Sequence, residues 1–353
     1  MTPNNNLYIC ILMHNLLKQR VVIIDVRKLI SFGKGSYIVS MPKGWVEKNN
    51  LKKGDLISVS DDGFELVLSA GQQEKKQDSK ETSIEAKGKS LGILKSEIVS
   101  SYLNGYDTIT ILLESGSKEV PRIKEIIRNL SGLEIMEQTS TRITAKNLIN
   151  VNEISIANMI RRMDVITRAM MEDCILCCRG QCNYDSIVNR DTDVNRLFFL
   201  GYRVIKNAMK NPRIAKSLGL DAWQLHNDSH IILRLEKIAD RQKRIARYVC
   251  TSSLDRATLA QLDKVHTDIS ESYNEVMKSY YTQDKQIAFR IEATHKDRTS
   301  ACDRILEENS HECGSRKRKP EYTSLVAVAK IVENLKATAA EIRLAARIVM
   351  CCE

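Results

Sequence analysis

Apolar residues recur three and four positions apart from Val151 onward, which is the period of helices that bury one face. Proline, which would interrupt a helix, is absent between Pro121 and Pro212 and between Pro212 and Pro320. The pattern predicts six helices, over Ser155–Cys178, Asp185–Lys206, Ser229–Cys250, Thr258–Tyr281, Asp284–Glu307 and Tyr322–Cys352. They fall into two sets of three that repeat after roughly 100 residues. The sequence therefore predicts two three-helix bundles, over 151–253 and 254–353.

Residues 26–70 have the alternation of half-buried strands instead. Tyr37, Val39 and Met41 alternate with smaller or polar residues, and glycines punctuate the segment at turn positions. Four short strands in about 45 residues cannot bury enough apolar surface alone. We therefore predict a small β module that pairs with a second copy of itself.

The remaining segments are less patterned. Residues 1–25 form an N-terminal extension of little predictive value, with Met1 or Met13 as the start, and residues 71–89 have the polar composition of a linker. Residues 90–150 predict an α/β connector of helix, strand, helix and two strands, over Ile93–Leu103, Thr108–Leu113, Pro121–Leu130, Glu134–Glu137 and Arg142–Ala145. The predicted fold class is mainly α with a small β module.

Composition narrows the class of protein. With 353 residues, 43% of them hydrophobic and 28% charged, the chain is too apolar for a disordered protein and too long for a disulfide-stapled one. Lys and Arg outnumber Asp and Glu by 54 to 44, which favours anionic partners. The apolar patch Leu7–Met13 is too short to cross a bilayer and lacks the features of a signal peptide. Because the ten cysteines lack the spacing of a secreted framework, we expect a cytoplasmic protein.

The β module carries a known motif. It contains Arg27-Lys28, then Gly35-Ser-Tyr-Ile-Val-Ser-Met-Pro-Lys43, and later Leu51-x-x-Gly54-Asp55-x-Ile57-x-Val59. These segments resemble the SpoVT/AbrB family of DNA-binding domains. The resemblance implies a dimer with swapped hairpins that binds DNA.

The helical half carries a second motif, in Asn189-Arg-Asp-Thr-Asp-Val-Asn-Arg-Leu197 and Leu235-Glu-Lys-Ile-Ala-Asp240. It resembles the PhoU family, and the joined arrangement is similar to archaeal PhoU-domain phosphate uptake regulators. Together the resemblances cover nearly the whole chain after residue 25. They imply control of phosphate import and signalling, and metal clusters on acidic pairs spaced four residues apart.

Charge is segregated within the β module. Residues 27–53 hold seven basic residues and one acidic residue, whereas residues 54–70 hold four acidic residues and no basic one. Phosphate neutralisation by Lys and Arg supplies non-specific DNA affinity. The candidate DNA-binding residues are Arg27, Lys28, Lys34, Lys43 and Lys48. The alternative is a solvated basic face on a module used only for dimerisation.

Carboxylates in the helices are candidate metal ligands. Asp191 lies on an otherwise apolar helix face, and Glu236 and Asp240 share a face at a spacing of four. Carboxylate oxygens on facing helices suit Mg²⁺, Mn²⁺ or iron. The family pattern is incomplete, because Asn195 replaces its second acid and Ala337 stands four residues beyond Glu333 in the second repeat. Without metal, we expect Glu236 to pair with Arg190, Arg234 or Lys237, and Asp240 with Arg244.

Four cysteines lie close enough in sequence to suggest a metal site, but their spacing argues against one. Cys174, Cys177, Cys178 and Cys182 lack the separate second ligand pair of a structural zinc site. Three of them share one helix face, where free cysteine behaves as a small apolar residue. Cys351 and Cys352 are expected to be free thiols.

The sequence therefore predicts a DNA-binding regulator of phosphate uptake. No Ser/His/Asp or Cys/His constellation stands out, so an enzyme is not expected. In the alternative function, the β module only dimerises the chain, and the helical half is an adaptor that gates a membrane phosphate transporter.

Overall fold

The computed structural model describes residues 25–33, 35–61, 66–70, 79–150, 153–315 and 322–351. The chain divides into two compact units, residues 1–79 and residues 80–353. The predicted N-terminal extension up to residue 24 lies outside the described residues, as does Lys34.

The N-terminal unit is built from two separate hairpins around a short helix. Its described elements are β1 (Ile30–Phe32), β2 (Ser36–Ile38), α1 (Lys43–Lys48), β3 (Ile57–Asp61) and β4 (Leu66–Ala70). Strand β1 pairs antiparallel with β2, and β3 pairs antiparallel with β4. Gly33, in the first turn, has φ +69°, a left-handed conformation that glycine adopts without steric cost.

The second unit begins with a four-stranded sheet and two helices. Its elements are β5 (Glu81–Glu85), α2 (Leu91–Leu103), β6 (Thr108–Leu112), α3 (Val120–Arg128), β7 (Leu133–Gln138) and β8 (Arg142–Asn147). The strand order is β5-β6-β8-β7, with β5 parallel to β6 and the other neighbours antiparallel. The predicted linker 71–89 is therefore wrong in its last part, because β5 adds an edge strand to the connector sheet.

Helices, all but one of them long, make up the rest of the described part of this unit. They are α4 (Ile156–Cys178), α5 (Tyr184–Lys210), α6 (Pro212–Ser217), α7 (Ala222–Thr251), α8 (Arg256–Thr282), α9 (Lys285–Ser315) and α10 (Tyr322–Met350). The six predicted helices are confirmed, and the short α6 is an addition. Helix α7 begins earlier than predicted because Asp221 and Gln224 form a reciprocal capping box at its N-terminus.

The helices pack as two sets of three that share one core. Helices α4, α5 and α7 contact one another, as do α8, α9 and α10. Helix α7 also packs along α10, and α4 packs against α8. Their buried side chains form one continuous hydrophobic cluster. The mainly helical fold class with a small β module is confirmed, but the two three-helix sets are not separate bodies.

A buried arginine fixes the connector to the first helical set. Arg203 of α5 is 2% exposed, and its guanidinium lies 4.9 Å from the centre of the Tyr102 ring. Its Nη1 donates to the Tyr106 carbonyl oxygen at 3.0 Å, and its Nη2 to Asp107 Oδ1 at 3.3 Å. A buried guanidinium needs such partners because an unpaired buried charge is costly.

Across the described ranges, no helix is both long and apolar enough to span a bilayer.

Candidate nucleic-acid interface and acidic cluster

The predicted DNA-binding residues that the structure describes are all exposed on the N-terminal unit. Arg27 and Lys28 precede β1, while Lys43 and Lys48 are the first and last residues of α1. Arg27 pairs with Asp25, and Lys43 Nζ lies 3.7 Å from a carboxylate oxygen of Glu47. Exposed ion pairs of this kind contribute little free energy. These cations therefore remain available to a phosphate backbone.

The strands of this unit present apolar side chains to solvent. No residue from 25 to 70 whose side chain the structure describes is buried. The exposed apolar side chains on or beside the strands are Ile30, Phe32, Tyr37, Ile38, Val39, Val59, Leu66, Val67 and Leu68. Exposed patches of this type mark interaction surfaces. The unit has apolar faces but no core of its own within its described residues.

The acidic candidates of the first helical set meet around a lysine. Lys243 Nζ of α7 lies 2.6 Å from Asp191 Oδ2 of α5 and 3.2 Å from Asp240 Oδ1. The Asn195 side-chain amide donates to Asp191 Oδ2 at 3.2 Å. Arg244 pairs with Asp240 at 2.7 Å, in agreement with the pairing expected from the sequence. An ammonium group thus bridges the two helices that carry the predicted metal ligands.

Glu236 lies in the same cluster, one turn before Asp240. It is 9% exposed, and burial, reinforced by the negative charges of Asp240 and Asp191, raises the pKa of its carboxyl group to about 7. Burial also raises the pKa of Asp191, although Lys243 opposes that shift. Glu236 therefore holds its proton at a pH at which an exposed carboxyl group has lost it.

The cations that sequence reasoning assigned to Glu236 bind other carboxylates. Arg190 pairs with Asp173. Arg234 Nη1 lies 2.8 Å from Glu341 Oε2, and Lys237 Nζ lies 3.8 Å from Glu341 Oε1. The expected pairings of Glu236 are therefore wrong, since Glu341 of α10 attracts two of these three cations across the interface between the helical sets.

The second helical set does not repeat the acidic cluster. The Glu333 side chain is 68% exposed and lies 3.0 Å from Lys330 Nζ. The buried polar residue next to it is Asn334, whose side-chain amide donates to the Lys330 carbonyl oxygen at 2.7 Å. Glu333 thus faces solvent, whereas Glu236 faces the helix interface.

Lys243 was missed by sequence reasoning, although a signal was present. It lies three residues after Asp240 and seven after Glu236, so all three share a helix face. What the sequence did not reveal is that Asp191 approaches this face from another helix. Asp191 and Asp240 both lie within hydrogen-bond distance of the Lys243 ammonium, so a cation bound by these carboxylates would have to displace that ammonium.

The cysteines in the last turns of α4 are free thiols, whereas the one in the loop that follows is disulfide-bonded. Cys174, Cys177 and Cys178 are buried, consistent with thiols packed as small apolar residues. Cys182, which the sequence grouped with them, forms a disulfide with Cys250. Sequence reasoning missed this pairing because Cys250 lies at the far end of α7.

Comparison with known proteins returns a family match for the N-terminal unit and one structural likeness. Residues 30–80 match the family described as antidote-toxin recognition MazE, bacterial antitoxin, so the N-terminal unit is a MazE/AbrB-like domain. The chain is also similar to the crystal structure of PhoU from Pseudomonas aeruginosa, with 13% identity and a TM-score of 0.49, over 55% of this chain and 93% of that one. No curated protein matches the sequence.

Proposed function

We propose that the protein is a DNA-binding regulator of phosphate uptake and phosphate homeostasis that acts as a dimer in the cytoplasm. The observation that carries the proposal is the charge segregation on an N-terminal unit whose described residues form no core of their own. Residues 27–53 hold seven basic residues and one acidic residue, and residues 54–70 hold four acidic residues and no basic one. The helical half then relays phosphate or metal status to the DNA-bound unit.

Dimerisation follows from the exposed apolar strands. A pair of two-stranded hairpins is marginal in water without further apolar burial. A second copy of this chain supplies complementary strands with the same apolar faces, and exchange of hairpins buries both sets. Dimerisation also doubles the basic surface and makes it two-fold symmetric, as palindromic DNA sites require.

DNA contact follows from the exposed cations. Each Lys or Arg that neutralises a phosphate releases condensed counterions, so affinity falls as salt concentration rises. With about six phosphate contacts, affinity drops about 10³-fold between 50 and 200 mM salt. Such steep dependence distinguishes a nucleic-acid surface from a dimerisation surface.

The decisive experiment is fluorescence anisotropy of the full chain on promoter DNA of phosphate-transport genes, across a salt series. Arg27→Ala/Lys43→Ala should weaken binding and flatten the salt dependence. The matched control is Lys95→Ala/Arg122→Ala, which removes the same charge from exposed positions of the connector. An equal loss of DNA affinity in both double variants would mean that binding depends only on the net charge of the chain and not on Arg27 and Lys43.

Absence of DNA binding at low salt would refute the proposal. The alternative would then take its place: the N-terminal unit dimerises the chain, and the helical half gates a membrane phosphate transporter. The exposed apolar strands favour dimerisation in either case. Binding of the full chain to purified transporter subunits, without DNA affinity, would support that adaptor.

We further propose that the acidic cluster takes a hard divalent cation, Mg²⁺, Mn²⁺ or iron, in place of the Lys243 ammonium. Lys243→Gln should strengthen binding of Mn²⁺, because it removes the competing positive charge that now bridges Asp191 and Asp240. Lys330→Gln, which removes an exposed lysine from α10, is the control. Equal Mn²⁺ affinity in parent and Lys243→Gln, measured by calorimetry, would refute a metal site here.

A further inference from the structure

Two cysteines that are five residues apart meet a third, 68 residues further along the chain, at one end of the first helical set. Cys177 lies in the last turn of α4, Cys182 in the loop that follows, and Cys250 in the last turn of α7. Their sulfur atoms all lie within 4.8 Å of one another. Cys177 Sγ is 2.9 Å from Cys182 Sγ, and Cys182 is bonded to Cys250. The disulfide thus has a third sulfur beside it, which a structural crosslink does not require.

The loop between α4 and α5 is built to return Cys182 over the end of α4. Gly180 has φ +84°, and its amide donates to the Cys177 carbonyl oxygen at 3.1 Å. The Gln181 amide donates to the Leu176 carbonyl oxygen at 2.9 Å, which completes a Schellman motif. Asn183 then caps α5 by accepting from the Ser186 amide at 3.2 Å. Cys182 is therefore held between two capped helix ends, and its position does not depend on the disulfide alone.

The neighbouring cysteines of α4 do not join this group. Cys174 Sγ donates to the Gln242 carbonyl oxygen at 3.4 Å inside the core. Cys178 is also buried, but it is not part of the cluster of three sulfurs. Only Cys177 of this face points to the loop. The convergence is therefore selective, and Cys178 provides a matched control.

We propose that the reduced form of Cys177, Cys182 and Cys250 is a three-thiolate site for a divalent cation that binds sulfur, and that Zn²⁺ is the ion it binds in the cell. A tetrahedral ion with Zn–S bonds of about 2.3 Å places its sulfur ligands about 3.8 Å apart. That spacing lies within the separation found for the three sulfurs. Because Cys182 and Cys250 are exposed, the fourth position is open to water or to a partner's ligand.

Disulfide and metal are alternative states of the same atoms. A dithiol reductant converts the Cys182–Cys250 disulfide into two thiols by supplying two electrons and two protons, and is itself oxidised to a disulfide. Binding of the cation then displaces one proton from each of the three thiols. In the reverse direction, a disulfide oxidant takes two electrons from the Cys182 and Cys250 thiolates and is reduced to a dithiol, the bond between these two cysteines forms again, and Cys177 takes up a proton as the ion leaves. The site would thus link metal occupancy to the thiol redox state.

The test uses the full chain, reduced with a phosphine and freed of metal under inert gas, with Cd²⁺ as the probe. A thiolate–Cd²⁺ charge-transfer band that saturates at one equivalent per chain is the expected result. Cys177→Ala and Cys250→Ala should each lose that band, whereas Cys178→Ala should keep it. A variant with all three cysteines changed to alanine measures the contribution of the other thiols, and circular dichroism verifies folding.

Two outcomes would overturn the proposal. One is a reduced parent protein whose Cd²⁺ band does not exceed that of the triple variant. The other is a Cys177→Ala variant with undiminished affinity, which would leave only the two disulfide partners as ligands. The disulfide form should give no band until the reductant is added. Changes at the acidic cluster, such as Asp191→Asn, should leave the band unaltered.

Discussion

Glu236 makes the stability of the helical half depend on pH in a direction opposite to that of a carboxylate in an ion pair. The ordinary pKa of 4.5 applies to the unfolded chain, whereas burial raises the folded-state pKa to about 7. The folded protein therefore binds the proton more tightly than the unfolded chain does. This stabilising contribution is fully present below pH 4.5 and is lost as pH rises through about 7.

The size of the effect follows from the two pKa values. Each pH unit between 4.5 and about 7 corresponds to about 1.4 kcal/mol, so the loss approaches about 3 kcal/mol. Glu236→Gln replaces the carboxyl group by a neutral group of similar shape. We expect the variant to be more stable than the parent by about 3 kcal/mol at pH 8, and to differ little at pH 4.5.

Urea denaturation of parent and variant between pH 4.5 and 8.5 measures this difference. The matched control is Glu333→Gln, which makes the same chemical change at an exposed position on the equivalent helix of the second set. A difference that is constant across pH would contradict the reasoning. So would a Glu236→Gln variant that is less stable than the parent at pH 8, since the buried charge would then be well compensated.

Two further predictions concern packing. Arg203→Leu should destabilise the second unit by about 3 kcal/mol in thermal or urea unfolding, because it removes the donor to the Tyr106 carbonyl oxygen and to Asp107 Oδ1; an unchanged midpoint would show that Arg203 does not fix the connector to the helices. Gly132→Ala should cost more than about 2 kcal/mol, since the backbone has φ +78° and a Cβ there would overlap the Ile149 side chain. Gly116→Ala has the same φ but open space, so it should cost about 1 kcal/mol, and equal losses would refute the overlap.

The sequence predicted those elements whose burial is one-sided and periodic. Helix α4 could be recognised because its apolar residues recur at helical spacing, and its observed start differs from the prediction by a single residue. Strand β5 could not, since only one residue of Glu81–Glu85, Ile84, is buried. Its strand character comes from pairing with β6, a tertiary contact that no local pattern encodes.

The candidate sites differ in the same way: a site made of neighbouring residues could be found from the sequence, whereas a site formed between helices could not. The basic half of the N-terminal unit is a contiguous segment, so counting charges was sufficient to find it. Lys243 and Cys250 act through partners more than fifty residues away in the chain, Asp191 and Cys182. Their roles depend on how helices α4, α5 and α7 pack. Sequence spacing alone therefore could not connect them to their partners.

The single core shared by the two helical sets makes each set depend on the other for its folding. Because α7 lies along α10, each set supplies the wall against which the other buries its apolar side chains. The second set, which has Ala337 four residues beyond Glu333, therefore cannot be removed without exposing the apolar side chains of the first set. Neither half should be obtainable as an independent fragment. The two helical sets therefore differ in their ionisable side chains, but each remains necessary for the packing of the other.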